Sequence, residues 1–289
     1  KIFKKKKILS IFHDAGGANI GLNYIKKKNL KSKFYCKGPA YNIFKKIFPN
    51  KENVKNFNYS IRKCDFVITG TSSNNKTELK AIDYCKKKRI FCVSFLDHWV
   101  NYKNRFILND NLILPNLLIS SDKYSYRTSK RTFKKVKIFQ LKNYYEIDKV
   151  NKIKKMRQGN NLLYFLEPIN NKLEFFALKK FFRKLERFDK FNQTIILRLH
   201  PSEKKTKYHN ILKKYKKFKI TLDVNSPIEN LIASAKYIFG LESNALVLSS
   251  KVNKKVFTIL PLYNRNFRLP FKKIKNINTL ENLSHEKSH

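Results

Sequence analysis

The sequence predicts an α/β fold of two Rossmann-like domains that face each other across a cleft. Two observations lead to this prediction. Short apolar runs alternate with amphipathic stretches of about ten residues, which is typical of βαβ units and a parallel sheet. The alternation stops at a polar stretch near residue 155 and then begins again. We therefore expect a first domain over residues 1–152 and a second over residues 153–289.

The first domain opens with the apolar run ILSIF at residues 8–12, which predicts a buried strand. The segment HDAGGANIG follows as a loop, and a helix is expected from about residue 20 to 28. An amphipathic stretch at residues 77–88 predicts a second helix. Further short apolar runs predict strands at residues 33–36, 66–69, 89–96, 117–120 and 136–139.

A polar helix over residues 144–155 joins the predicted domains. Ser226 and Glu229 have the spacing of a capping box, with Pro227 at the first helical position. The second domain then has predicted strands at residues 162–166, 194–199, 218–222, 237–239 and 256–260. Its predicted helices cover residues 173–188, 204–217, 227–234 and 243–251.

The charge of the chain is strongly positive: 64 Lys and Arg stand against 20 Asp and Glu, a formal net charge of +44. The lysines are spread along the chain, and Asn, Ile, Phe and Tyr are abundant with them, as expected from drift toward AT-rich codons. The other interpretation is a polyanionic partner: nucleic acid, anionic lipid or a phosphate-bearing substrate. Sequence signals for known nucleic-acid-binding modules are missing, so we do not expect nucleic acid.

Cysteine spacing and hydropathy limit the class of protein further. The four cysteines form no CxxC pair, and no histidine lies at zinc-finger spacing, so we expect neither a disulfide framework nor a metal site. No apolar run approaches the roughly 18 residues of a membrane span, and no secretory signal is evident. We expect a cytoplasmic protein without a cofactor, bound peripherally to the inner face of the membrane through its basic surface.

Glycine is scarce, with 7 residues in 289, and five of them follow predicted strands. Gly16, Gly17 and Gly21 come after the first strand, and Gly70 and Gly240 follow two others. A parallel sheet binds ligands at the carboxyl ends of its strands, and glycine there lets the backbone approach a bound group. We therefore predict that Gly16 and Gly17 contact a nucleotide, with plain tight turns as the alternative.

Two His/Asp pairs also follow strands of the first domain, where they predict catalytic groups. His13 and Asp14 come after the first strand, and Asp97 and His98 after the fourth. A carboxylate at such a position can accept a proton from a reacting hydroxyl. We predict Asp14 as the general base and Asp97 as the second choice; the alternative for Asp14 is a capping role.

The segment LDHWVNYKNRF holds the only tryptophan and predicts an acceptor-binding loop. Trp99 and Tyr102 could stack on a sugar ring, and Arg105 could meet a carboxylate or phosphate. The alternative is a packed loop that Trp99 anchors.

In the second domain, the segment LRLHPSE predicts a phosphate-binding loop. Arg198, His200 and Ser202 follow a strand, and Pro201 ends that strand and directs the loop. Cationic and hydrogen-bonding side chains in one loop are suited to hold a phosphate.

A second donor-binding element is predicted at FGLESNALVLSS. Glu242, Ser243 and Asn244 stand at the start of a helix, whose free N–H groups attract anions. Glu242 could take a ribose hydroxyl pair. For Ser243, simple N-capping of the helix is the alternative.

These two segments together resemble the second domain of GT-B glycosyltransferases. An HP pair at His200-Pro201, followed about 40 residues later by a G-x-E-S helix start, is similar to bacterial sialyl- and polysialyltransferases and to teichoic-acid glycerophosphotransferases. The resemblance implies that His200 contacts the donor phosphate and that Ser243 matches the second serine of a phosphate-binding pair, with Glu242 in the place of the first. The acidic D/E-D/E-G motif of these families is not found, and Asp14-Ala15-Gly16-Gly17 is a loose substitute.

The leading hypothesis is therefore a nucleotide-sugar-dependent glycosyltransferase of cell-surface glycan synthesis. Its nucleotide-sugar donor, for which a CMP-linked sugar is one expectation, would bind the second domain, and a glycan or lipid-linked acceptor the first. We expect no metal, because a DxD motif is absent and cationic side chains can neutralise the leaving phosphate. The alternatives are a GT-B-like sugar-nucleotide epimerase and a basic nucleic-acid-binding protein.

Overall fold

The computed structural model describes residues 6–72, 75–187, 193–200, 203–263 and 265–283 of the chain. The chain divides into two units, Lys1–Ile147 and Asp148–His289. The division falls in the helix α6 (Tyr144–Lys155), which also contains the boundary predicted at residue 152. The predicted cleft between the domains stays a prediction.

The first unit is built on a six-stranded sheet in which every pair of neighbouring strands is parallel. Its strands are β1 (Ile8–Phe12), β2 (Ser32–Cys36), β3 (Phe66–Thr69), β4 (Phe91–Phe95), β7 (Leu117–Ser120) and β8 (Lys137–Gln140). A separate antiparallel pair consists of β5 (Ile107–Leu108) and β6 (Asn111–Leu112). The order across the large sheet is β2-β1-β3-β4-β7-β8. The six strands predicted for this domain are thus confirmed.

Helices of the first unit follow its strands, and several of them were not predicted. They are α1 (Ala15–Lys27), α2 (Pro39–Ile47), α3 (Phe57–Ile61), α4 (Thr77–Lys87) and α5 (Lys123–Thr132). The predicted loop over HDAGGANIG is wrong, because α1 begins at Ala15 and contains its three glycines. The sequence analysis did not predict α2, α3 and α5, which are all short helices.

Both faces of this sheet are covered. Along β1, Ile8 and Phe12 pack into one apolar cluster, whereas Leu9 and Ile11 pack into another. Side chains of a strand alternate between the faces of a sheet, so the two clusters lie on opposite faces. This explains why β1 is apolar at nearly every position and is buried along its full length.

The second unit repeats this architecture with another six-stranded sheet of parallel neighbours. Its strands are β9 (Asn161–Phe165), β10 (Ile195–Arg198), β11 (Ile220–Asp223), β12 (Ala235–Gly240), β13 (Lys255–Thr258) and β14 (Ile274–Asn276), in the order β11-β10-β9-β12-β13-β14. The helices are α7 (Asn171–Glu186), α8 (His209–Lys213), α9 (Ile228–Ser234) and α10 (Asn244–Ser250). β14 was not predicted. In the part of the chain that the structure describes, no helix has the length and apolar character of a bilayer span.

Two local predictions for the second unit are wrong. The basic helix expected over residues 204–217 is a 3-10 turn at Lys205–Tyr208 followed by the short α8. The capping box also fails, because the Ser226 hydroxyl donates to the Asp223 carboxylate instead of accepting a backbone N–H. Glu229 pairs with Lys149 of α6 at 2.5 Å, so tertiary partners occupy both side chains.

Gly17 permits the close approach of α1 to the end of β3. A Cβ atom on Gly17 would lie 2.7 Å from the Cα of Gly70 and 3.1 Å from the backbone nitrogen of Thr71. Both contacts are with backbone, which cannot rotate away. The scarce glycines of this segment therefore serve helix-to-strand packing inside the unit.

We predict that Gly17→Ala destabilises the first unit although alanine favours helices. The added methyl group should force α1 away from β3, and overpacking of this kind costs about 2 kcal/mol. The melting temperature followed by circular dichroism should fall by about 5 °C. Lys26→Ala, an exposed change on the same helix, should alter the unfolding free energy by less than about 0.5 kcal/mol. Alanine stabilises a helix when it replaces an exposed glycine. If Gly17→Ala were likewise more stable than wild type, the close packing of α1 on β3 would not be the reason for glycine at this position.

Candidate functional site

Each sheet has one point at which the strand order reverses, and ligands of open parallel sheets bind beside such points. In the first unit the reversal lies between β1 and β3, and in the second it lies between β9 and β12. The segments that leave these strands carry His13 and Asp14 in the first unit, and Glu242 and Ser243 in the second. The topology thus brings candidate residues to the place where each sheet can bind a ligand.

At the first reversal, three polar side chains meet. His13 Nδ1 lies 3.0 Å from Asp14 Oδ1, and about a third of the Asp14 side chain is exposed. The carboxylate of Glu78, in the first turn of α4, accepts the backbone N–H of His13 at 2.7 Å and that of Asp14 at 3.3 Å. Asp14 is the N-cap residue of α1, but its side chain makes no capping hydrogen bond. The capping alternative for Asp14 is therefore not what the geometry shows.

Asp97 lies beside this group in a different environment. Its Oδ1 accepts hydrogen bonds from Arg105 Nη1 at 2.7 Å and from the Thr71 hydroxyl at 2.8 Å. The Asp97 and Arg105 side chains are 11% and 9% exposed, so this ion pair is nearly buried. A Cβ on Gly16 would lie 2.0 Å from Asp97 Oδ2, so this carboxylate also packs on α1. The pairing leaves Asp97 less suited than Asp14 to accept a substrate proton.

The predicted acceptor loop is packed within the first unit. Trp99 is buried, and its Nε1 donates to Asp122 Oδ2 at 2.6 Å, while the other oxygen of Asp122 caps α5. Tyr102 is buried and donates to the Ser125 hydroxyl at 2.9 Å. His98 lies against the Trp99 ring, with 5.6 Å between the ring centroids. This geometry matches the packed-loop alternative, and a role in acceptor binding stays a prediction.

Gly16 and Gly17 were predicted to contact the donor nucleotide together with residues of the second domain. The structure places both in the first turn of α1, in the first unit, with their Cα atoms against Asp97 and Gly70. These contacts explain why glycine is needed at the two positions without a bound group.

At the second reversal, a buried glutamate holds the G-x-E-S turn. Glu167 follows β9, and its Oε1 accepts the backbone N–H groups of Leu241 at 3.0 Å and Glu242 at 2.9 Å. Burial raises the pKa of Glu167, and these two hydrogen bonds oppose the increase. Glu167 thereby fixes the backbone from which Ser243 and α10 begin.

Glu242 does not present its carboxylate to a ribose. It accepts hydrogen bonds from Arg268 Nη2 at 2.7 Å, from the Arg268 backbone N–H at 2.6 Å and from Arg265 Nη2 at 3.1 Å. Burial alone would raise the pKa of Glu242, but the hydrogen bonds and charges of the two arginines outweigh it and lower that pKa. In place of the predicted ribose contact, the Glu242 carboxylate binds Arg265 and Arg268 of its own chain.

Ser243 is the N-cap residue of α10, yet its hydroxyl caps no backbone N–H. The Ser243 Oγ atom is buried and has no hydrogen-bond partner among the described residues. Arg265 Nε is also buried without a partner in that part of the chain. Asn244, at the first helical position, is exposed. Simple capping therefore does not explain Ser243, whose hydroxyl has no assigned partner among the described residues.

The phosphate loop prediction rests on Arg198 and His200, whereas Pro201 and Ser202 lie outside the described residues. Arg198 forms an ion pair with Asp223, its register partner on β11. His200 is exposed at the end of β10, and desolvation by nearby protein atoms lowers its pKa while the Glu203 charge opposes the change. A neutral imidazole at pH 7 can donate one hydrogen bond to a phosphate oxygen.

A buried cluster of Glu174, Glu203, Lys207 and Tyr208 follows His200. Tyr208 donates to Glu203 Oε2 at 2.6 Å and to Glu174, and Lys207 pairs with both glutamates. Glu203 also donates its backbone N–H to the carbonyl of His200 at 3.0 Å. The cluster therefore anchors the chain at Glu203.

Sequence reasoning missed four residues that organise these two places: Glu78, Glu167, Arg265 and Arg268. Acidic residues are rare in this chain, and Glu78 and Glu167 each follow a predicted strand at a short distance, which was a usable signal. Arg265 and Arg268 lie far along the sequence from Glu242, and no local pattern linked them to it. Within the described residues, no group of three or more His, Cys, Asp or Glu side chains could hold a metal ion.

We predict that Glu242→Gln destabilises the second unit at neutral pH. Breaking a fully buried ion pair costs about 3–5 kcal/mol. We expect about 2 kcal/mol here, because Arg268 is partly exposed and solvent screens its charge. A folded-state pKa below the ordinary 4.5 means that this stability is present above pH 4.5 and is lost as the pH falls through the folded pKa.

The measurement is urea unfolding of wild type and variant between pH 7 and pH 3.5, where the difference in free energy should shrink as the pH decreases. The control is Glu186→Gln, which removes a surface ion pair with Lys217. It should change the free energy of unfolding by less than about 0.5 kcal/mol. If Glu242→Gln were as stable as wild type but bound nucleotide more weakly, this prediction would be wrong and Glu242 would instead be a candidate ribose ligand.

Comparison with known proteins gives two findings. Residues 171–260 match the sequence model of the alpha-2,8-polysialyltransferase family. The matched segment contains both His200 and the Gly240–Ser243 turn, and it supports a glycosyltransferase of glycan synthesis. No curated protein matches the chain by sequence.

Solved structures resemble the chain over nearly its full length. UDP-GlcNAc 2-epimerase of Methanocaldococcus jannaschii, in complex with UDP-GlcNAc and UDP, superposes with a TM-score of 0.69 at 14% identity, covering 98% of this chain and 93% of that one. UDP-GlcNAc 2-epimerase of Neisseria meningitidis, bound to UDP-GlcNAc, gives a TM-score of 0.61 at 10% identity, covering 90% and 84%. At such identities the likeness concerns the fold alone. The chain has an α/β fold of the GT-B type, with two Rossmann-like units.

Proposed function

We propose that this protein is a nucleotide-sugar-dependent glycosyltransferase of cell-surface glycan synthesis that uses a CMP-linked sialic acid as donor. The match of residues 171–260 to the polysialyltransferase family is the observation that carries the proposal. The geometry supports the proposal in two ways. His200 of the HP pair and Ser243 of the G-x-E-S turn both follow carboxyl ends of strands in the second unit. The Ser243 hydroxyl also has no hydrogen-bond partner among the described residues.

In this proposal the second unit binds the donor. His200 and the Ser243 hydroxyl donate hydrogen bonds to the phosphate, and the cationic surroundings stabilise the charge that develops on CMP as it leaves. The bond between the anomeric carbon and the phosphate oxygen breaks, and its electron pair leaves with CMP. Positive side chains and hydrogen-bond donors serve this purpose without a divalent metal, so we propose a metal-independent reaction.

The first unit supplies the base. The acceptor hydroxyl attacks the anomeric carbon, and its proton passes to the Asp14 carboxylate as the new glycosidic bond forms. Asp14 suits this step because its side chain is partly exposed and bonded only to His13 among the described residues, whereas Asp97 is held by Arg105 and Thr71.

The direct test incubates the purified protein with CMP-sialic acid and an α2,8-linked sialic acid oligomer, with and without EDTA. We expect CMP release and longer oligomers, unchanged by EDTA. Conversion of UDP-GlcNAc to its 2-epimer without transfer would favour the epimerase alternative. Binding of a random oligonucleotide that persists at about 0.2 M salt, with no thermal shift from CMP, CDP, UDP or GDP, would favour the nucleic-acid alternative.

For the donor side, we predict that His200→Ala raises the KM for CMP-sialic acid and lowers turnover without unfolding the protein. Loss of one hydrogen bond to a charged group costs about 1.5–3 kcal/mol, or about a 10–100-fold loss in kcat/KM. The assay is CMP release, with the melting temperature as a folding check. His209→Ala, on α8, is the matched control and should behave as wild type. Unchanged kinetic constants for His200→Ala would refute the donor assignment.

For the acceptor side, we predict that Asp14→Asn lowers turnover by about 100-fold or more, the usual scale of general-base catalysis. The amide keeps the shape of the side chain, so CMP binding and melting temperature should stay close to wild type. Asp97→Asn is the companion variant, and it should lower stability by breaking the pair with Arg105. Normal turnover in Asp14→Asn together with loss in Asp97→Asn would move the base to the other loop.

We further propose that the basic surface binds the enzyme to the anionic inner face of the membrane, where lipid-linked acceptors reside. Each Lys or Arg near an anionic bilayer contributes about 1 kcal/mol, so a small group of lysines is sufficient. The protein should sediment with phosphatidylglycerol vesicles but not with phosphatidylcholine vesicles, and high salt should release it. Equal sedimentation with both lipids would contradict this.

A further inference from the structure

Glu78 is a buried carboxyl group whose two oxygen atoms have different environments. The residue is 1% exposed. Its Oε1 accepts the backbone N–H groups of His13 and Asp14 at 2.7 and 3.3 Å. Its Oε2 is buried and has no hydrogen-bond partner among the described residues. One oxygen therefore holds the backbone of the candidate base, and the other lacks a donor that would stabilise negative charge.

The groups around Glu78 favour its protonated form. The titratable groups that face it are His13 and Asp14 before α1 and the Cys36 thiol at the end of β2. Burial raises the pKa of Glu78, and the Asp14 charge adds to that increase, while hydrogen bonds from the backbone N–H groups of His13, Asp14 and Glu78 itself oppose it. Burial also raises the pKa of Cys36 to about 12, so the thiol contributes no charge near neutral pH. Asp14, in contrast, is partly exposed to water, with about a third of its side chain accessible.

We propose that Glu78 is the positioning residue of the Asp14 base: it holds the His13-Asp14 backbone through Oε1, and it is a neutral acid whose proton lies on Oε2, the oxygen that no donor reaches among the described residues. This proposal rests on the proposed function, because it assumes that Asp14 accepts the acceptor proton. Two neighbouring carboxyl groups with environments that separate their proton affinities can take different roles in catalysis. Glu78 is buried, whereas the side chain of Asp14 is partly exposed.

Three variants test the positioning role in the CMP-release assay with CMP-sialic acid and the α2,8-linked oligomer. Glu78→Gln keeps an oxygen that can accept the two N–H groups and resembles the protonated acid, so turnover should stay within about threefold of wild type. Glu78→Ala removes the acceptor and should lower kcat about tenfold or more, because small displacements of a catalytic group are costly. The KM for CMP-sialic acid should not change. Glu52→Gln, an exposed glutamate of the same unit, is the control.

A second measurement needs no activity. A buried acid with a raised pKa stabilises the fold while it is protonated, and this contribution is lost as the pH rises through that pKa. Glutamine cannot lose a proton, so the melting temperature of Glu78→Gln relative to wild type should increase by a few degrees between pH 5 and pH 8. The same difference for Glu52→Gln should stay constant. This arm also remains informative when Glu78→Ala does not fold.

The outcomes separate the two proposals. Active wild type with normal turnover in Glu78→Ala would overturn the role of Glu78 alone. A constant melting difference for Glu78→Gln would overturn the assignment of the proton to Glu78. A tenfold or greater loss of turnover in Glu78→Gln would also overturn that assignment, because glutamine is neutral like the protonated acid and should support near-normal turnover. Wild type that transfers no sialic acid would instead refute the proposed function, and the positioning role with it.

Discussion

A buried glutamate joins the two strand ends at the reversal point of each sheet, and the candidate sites depend on this interaction. In the first unit Glu78 accepts backbone N–H groups from the segment after β1. In the second unit Glu167 accepts them from the segment after β12. The first N–H groups of a strand-to-helix turn have no partner in the helix itself. A carboxyl group that accepts two of them offsets part of its own desolvation with these hydrogen bonds and fixes the turn.

These two anchors have different surroundings, and the difference separates the chemistry of the units. Around Glu78 lie Asp14 and, across Gly16, Asp97, so the reversal point of the first unit is rich in carboxylates. Around Glu167 lie Glu242 and the two arginines bonded to it, Arg265 and Arg268, so the reversal point of the second unit holds acids that are paired with cations. Carboxylates are suited to accept a hydroxyl proton, and cations to hold a phosphate. In the proposed transferase the base accordingly lies in the first unit, and His200 and Ser243 of the second unit bind the phosphate.

The net charge of +44 does not oppose such acidic sites, because most of the excess lies on exposed lysines. The buried acids have close partners: Glu229 pairs with Lys149, Glu174 with Lys207 and Tyr208, and Glu242 with two arginines. A buried carboxylate costs less when it is paired and hydrogen-bonded. The exposed lysines then act at longer range, where salt screens their charge.

The sequence by itself determined the α/β class, the two successive Rossmann-like units and most of the strands, because buried parallel strands are short apolar runs that local pattern reveals. It also located His13-Asp14 and the His200 and Ser243 segments at strand ends, since position relative to a strand is readable from the chain. Only the tertiary structure decided which of these groups are available. The glycines of a predicted loop instead pack α1 against the end of β3. Asp97 and Arg105 pair with each other, and Glu242 pairs with Arg265. Tyr102 is buried. Those outcomes depend on contacts between residues far apart in the chain, such as Glu78 with Asp14 or Arg268 with Glu242. No local sequence pattern encodes such a contact, because the packing of the whole sheet decides which residue the partner is.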